Sequence, residues 1–159
     1  MAASREEINA GANDAMKRFY QEVGAGKELA GKAQGILIFP SVLKAGIGIG
    51  GEYGEGLLRI KGRTDGYYST AAASIGLQLG MQSKTVMILF MTPKALSDFK
   101  KSEGWEAGVN GSVALATLGA GGQLDTKTLS QPIIGFVFGN KGLMYNLTFE
   151  GTKITRLKK

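Results

Sequence analysis

Residues 44–56 read KAGIGIGGEYGEG, and this run holds the feature that most restricts what the chain can become: glycines at every second position of an apolar stretch. Gly46, Gly48 and Gly50 alternate with Ile47 and Ile49. In an extended chain the three glycines occupy one face and the two isoleucines the other. A face without side chains weakens a strand, so it marks a bend or the close approach of another element. Glycine recurs at Gly76 and Gly80 and again at Gly108, Gly111 and Gly119, giving 25 in all against three prolines. That is about twice the usual share of glycine. The glycines stand among apolar residues, which a disordered linker lacks. Two uses of such a face stay open: relief of crowding at the bends of a tightly coiled small sheet, or a groove for a ligand or partner.

Gly46, Gly48 and Gly51 also satisfy the G-x-G-x-x-G spacing of dinucleotide loops. Such a loop needs a helix directly after it, so that the pyrophosphate meets the helix N-terminus. The residues after Gly51 are EYGEGLLRIKG, whose further glycines and alternation open no stable helix. The nucleotide reading is set aside.

Around this run the pattern predicts a β-rich chain. Ser4 and Glu7 form a capping box ahead of Ile8, Ala12, Ala15, Met16, Phe19, Tyr20 and Val23, an apolar stripe at helical spacing that Gly24 stops. A short second helix is expected over 27–33. Ile36 to Phe39 has the composition of a buried strand, which Pro40 is expected to end. Period-two alternation then runs through Leu58–Arg63 and Ile75–Leu79. Thr85–Met91 is an apolar strand, followed by Thr92 as cap and Pro93 as first residue of a helix that turns Leu96 and Phe99 inward. Strands are expected again over 108–118, 133–138, 143–149 and 153–157, with turns at Asp65-Gly66, 119–122, 140–142 and Glu150-Gly151. Short strands at this spacing suggest an antiparallel sheet, curved or closed.

The 159 residues suit one domain. The absence of Cys and His removes disulfides, the usual zinc sites, thiolate nucleophiles and imidazole bases. Glu52 and Glu55, three apart in an extended run, point to opposite faces, and a solvated turn is expected for them. Glu103 and Glu106 flank Trp105 within reach of Lys100 or Lys101. No cluster with metal-ligand spacing occurs. The longest aromatic-aliphatic run, Val86–Met91, falls far short of the ~20 residues of a spanning helix. These observations read as a non-enzyme without cofactor or metal.

The net charge of +6 favours anionic partners. Arg59, Lys61 and Arg63 alternate, so on one strand they share a face; that row is either an exposed face that deters edge pairing or a binding patch. Lys17 and Arg18 add cations to the first helix, amid Glu6, Glu7, Asp14 and Glu22. Nucleic acid is not expected, since only Tyr67-Tyr68 near Arg63 places aromatics beside a cation and no helix-turn-helix signal is present.

ILIFPSVLKAGIGIGGEYGEG (36–56) resembles the signature of the SYLF family of lipid-binding domains, known also from yeast actin-patch proteins. SIGLQLGMQSKTVMILFMT (74–92) and GFVFGNKGLMYNLTFEGTKI (135–154) are similar to its later blocks, in the expected order. The resemblance implies a stand-alone bacterial-type member, associated with the membrane of the cell envelope in the periplasm and delivered there by an N-terminal signal, often as a lipoprotein. Cytoplasmic placement is the alternative. It implies contact with anionic phospholipid through basic residues and an N-terminal amphipathic segment, for which Arg5, Lys17 and Arg18 are the matching positions. A bacterial setting implies no actin partner.

The expectation is thus one α+β domain: an amphipathic helix over 1–23, and a SYLF-like β-rich part over 24–159, an antiparallel curved sheet or partial barrel with one or two short helices. Its expected function is non-enzymatic binding of anionic phospholipid membranes by a basic face made of Arg59, Lys61, Arg63, Lys17 and Arg18. The alternatives are an envelope protein–protein scaffold using the glycine-lined surface with exposed Trp105 or Tyr67, and, last, an enzyme on small anionic substrates.

Overall fold

A computed structural model of the chain describes residues 3–45, 51–73, 83–117, 123–144 and 147–159. Helix α1 spans Arg5–Glu22, where Ser4 and Glu7 form the capping box and Ile8, Ala12, Ala15 and Phe19 are buried. Helix α2 (Gly26–Lys32) follows. Strands β1 (Gly35–Ala45), β2 (Gly51–Ile60), β3 (Arg63–Ala73) and β4 (Ser83–Phe90) come next. Helix α3 (Pro93–Lys101) has Thr92 as its cap, accepting from the Ala95 N–H. The rest comprises β5 (Trp105–Glu106), β6 (Ala114–Leu115), α4 (Thr126–Leu129), β7 (Ile133–Gly139), β8 (Gly142–Leu143) and β9 (Lys153–Leu157).

The nine strands among the described residues form one curled, half-barrel sheet in the order β5-β9-β3-β2-β1-β4-β7-β6, with β8 on β7. The fold is α+β, as the alternation predicts. Among these described strands every pairing is antiparallel except that of β6 with β7.

Apolar side chains cover both faces of the sheet. On one face Ile38, Leu57, Met87, Leu89, Ile134, Phe136 and Phe138 pack against α1 and α2. On the other, Leu37, Phe39, Leu58, Ile88, Phe90 and Val137 pack with Phe99 of α3 and with Trp105 and Phe149. Strands buried on both sides read as continuous apolar runs, which is the appearance of ILIF, VMILF and IIGFVF.

Four expectations are corrected. Pro40 does not end β1: both ladders shift register there, between Ile38 and Ser41 toward β2 and between Phe39 and Val42 toward β4. A bulge needs no ladder N–H, so proline is tolerated, and its carbonyl accepts from Thr85 Oγ1 at 2.8 Å. The turn expected at Asp65-Gly66 lies inside β3, where Leu58 pairs Gly66 and Arg59 pairs Thr64, leaving Asp65 as a bulge. Among the described residues the strand expected over 108–118 is reduced to Ala114–Leu115, because Gly108–Gly111 closes a loop with the Gly108 N–H on the Gly111 carbonyl. The strand expected over 143–149 is reduced to Gly142–Leu143 among the described residues. The glycine-lined stretch 46–50 and the alternation at 75–79 lie outside the described residues. Gly51 itself begins a strand rather than a helix, so the geometry of a dinucleotide loop is absent there.

Candidate anionic-surface site

The three alternating cations do not lie on one strand. Ile60 pairs with Arg63, so Lys61 and Gly62 form a two-residue hairpin turn between β2 and β3. Their φ values of 53° and 78° have the positive sign that a type I′ turn requires at both positions. Arg59 lies on the face of Leu57, toward α1, and its guanidinium donates to Asn13 Oδ1 at 2.7 Å. Arg63 stands opposite Ile60, whose side chain packs on the α3 side. The expected row on one strand face is therefore corrected: a turn inserted at its centre sends the three side chains different ways. They still share one end of the sheet.

Lys17 is exposed on α1, one turn beyond Asn13 and on the same stripe. Arg18 serves inside the fold. It pairs with Glu22 at 2.5 Å, donates to the Gly139 carbonyl and lies over the Phe138 ring at 5.3 Å. Those contacts tie α1 to the end of β7.

Sequence reasoning missed the contribution of α3 and β9 to this end. Lys100 pairs with the bulged Asp65 at 3.1 Å, which draws the last turn of α3, and with it exposed Lys101, toward the hairpin. Arg156 of β9 donates to the Asp65 carbonyl at 3.3 Å and to the Tyr68 hydroxyl at 3.4 Å, and lies over the Tyr68 ring. The paired lysines at the end of a predicted helix were the visible signal. Their neighbour, Asp65, is fixed only by tertiary contact.

The titratable groups elsewhere serve the fold. Glu52 pairs with Lys84 at 2.9 Å and Glu55 with Lys159 at 3.4 Å, each with little exposed side chain. The two carboxylates do point to opposite faces, but neither is in a solvated turn. Burial pushes the Tyr68 phenol above its ordinary value, with Arg156 opposing and Asp65 adding to the shift. The Tyr53 phenol is raised too, by burial and by its hydrogen bond to Glu55. Trp105, expected to be exposed, is 2% accessible and packs edge-on to Phe90 and Phe99. Tyr67 is half-buried, its hydroxyl accepting from Asn9. Glu103 and Glu106 pair with neither Lys100 nor Lys101 among the described residues, since Lys100 is held by Asp65. Also among the described residues, no three acidic side chains converge as metal ligands, and no helix is long and apolar enough to cross a membrane.

No curated protein matches the chain. Residues 71–159, more than half of it, match the family model Ysc84, described as Las17-binding protein actin regulator. The 36–56 segment lies ahead of the matched region.

Proposed function

The chain belongs to the Ysc84 (SYLF) family, and we propose that it is a non-enzymatic module that binds anionic phospholipid surfaces reversibly through exposed cations. The observation that carries this reading is the gathering of Arg59, Lys61 and Arg63 at one end of the sheet, with Lys61 and Arg63 exposed and without an ion pair among the described residues. Lys17 is exposed on α1, one turn beyond the Asn13 that accepts from Arg59. Each cation near an anionic bilayer contributes about 1 kcal/mol, so several acting together give useful affinity. The lack of any imidazole or thiol supports a binding role over catalysis.

Flotation with vesicles of graded anionic content tests the reading. Capture should rise with anionic lipid, weaken with salt, and be lost in the Arg59→Glu/Lys61→Glu/Arg63→Glu variant. Capture by neutral and anionic vesicles alike removes the electrostatic mechanism. A second reading, a protein-binding module, draws support from the family description, which names a protein partner and actin regulation. It gains if no vesicle captures the folded chain.

A further inference from the structure

We infer that the protein meets an anionic bilayer end-on, with the β2–β3 turn and the last turn of α3 against the surface and the strands running away from it. This rests on the lipid reading above and deepens it by assigning the contact surface. Both faces of the central sheet are already covered, one by α1 and α2, the other by α3 and the segments bearing Trp105 and Phe149. Among the described residues the faces of the central strands are covered along most of their length, Leu43 and Tyr53 near one end being the exposed exceptions, so contact falls to an end or an edge.

The ion pairs distinguish the ends. Lys84 and Lys159 are each paired with a carboxylate on β2, and Arg18 is held by Glu22. At the hairpin end Lys61, Arg63 and Lys101 are exposed and carry no ion pair among the described residues. Asp65, two residues from Arg63, is engaged by Lys100. Lys61 is also the sole non-glycine residue with positive φ among those described. A left-handed turn position favours Asn or Gly, so a lysine there puts a cation at the tip at some cost to the turn. The Lys100–Asp65 bridge joins hairpin and helix, so the cationic end is built from two elements.

The opposite end offers the competing orientation. There Leu43 and Tyr53 sit side by side and exposed, Val109 is 73% accessible, and Lys141 and Lys153 supply charge. Matched charge reversals separate the two. Vesicle partition of the full chain is measured for Lys61→Glu/Lys101→Glu and for Lys141→Glu/Lys153→Glu, with circular dichroism to establish that both are folded. All four side chains are exposed, and each pair changes the net charge equally.

The expected result is a loss of at least about twentyfold for the first pair, at about fivefold for each cation withdrawn, and a much smaller loss for the second. Equal losses, or a larger loss for the second pair, overturn the end-on assignment while leaving lipid binding intact. Failure of the unmodified chain to bind anionic vesicles sinks the lipid reading and the orientation with it. If neither variant folds, the single reversals Lys61→Glu and Lys141→Glu give the same comparison.

Discussion

Gly135 lies under the Phe149 ring: a Cβ there would stand 2.4 Å from two ring carbons and 2.8 Å from Val113. At Gly56 the obstacle is backbone, since a Cβ would fall 1.9 Å from the Ile38 carbonyl oxygen. Gly51 is unlike both, its nearest obstacle being the Ala72 carbonyl at an ordinary 3.7 Å. Gly135→Ala should therefore lose about 1–3 kcal/mol of stability through overpacking. Gly56→Ala should lose at least as much, because a carbonyl cannot rotate away as a side chain can, and Gly51→Ala should stay within about 0.5 kcal/mol. Urea unfolding of the three variants checks the order. Tyr68 gives a pH signature at the same scale. Its folded value is raised above the unfolded 10.0, so its contribution is complete below the unfolded value and lost as pH rises through the folded one. The urea midpoint should fall as pH rises above about 10, and fall less in Tyr68→Phe, whose ring cannot ionise.

At the scale of elements, helices were more legible than hairpins. The α1 capping box and stripe and the Thr92-Pro93 start of α3 are local signals, and the structure carries both. The β2–β3 hairpin was misplaced by four residues because Asp65-Gly66 has the better turn composition. Packing decided otherwise: a turn at Lys61-Gly62 lets Leu57 face α1 and Leu58 face α3, as the two covered faces require. The turn keeps a lysine where asparagine is preferred. Lys61→Asn should consequently raise stability by about 0.5–1 kcal/mol, seen as a higher urea midpoint, while removing a cation from the proposed contact end. An unchanged or lowered midpoint would count against strain in this turn.

The whole molecule is closed by a clasp between residues distant in sequence. Lys159 Nζ donates to the Ala3 carbonyl at 2.5 Å and pairs with Glu55, and Glu55 accepts from the Ala3 N–H at 2.9 Å. One carboxylate on β2 thus fastens the start of α1 and the end of β9's tail to the sheet. Glu55→Ala leaves the Lys159 ammonium without its counter-ion and the Ala3 N–H without its acceptor in a largely enclosed place. It should cost about 2–3 kcal/mol, somewhat less than a wholly buried pair, and urea unfolding at low and high salt measures it. A cost near zero would mean that α1 is held by its apolar stripe and by the polar contacts of Asn9, Asn13 and Arg18, without help from the clasp.

Local order was enough for the sequence to determine the class of this protein: a capped amphipathic helix, then strands whose two-residue period and apolar runs build one antiparallel-dominated α+β sheet, with an excess of positive charge and no imidazole or thiol. These follow from period and composition, which act over a few neighbouring residues. Which cations stand free was decided only in three dimensions. Arg18 was taken by Glu22 and Gly139, Lys100 by Asp65 and Arg59 by Asn13, through pairings that join α1 to the sheet and α3 to the hairpin. A side chain's partner depends on which distant element packs beside it, and that depends on both faces of the sheet being filled at once.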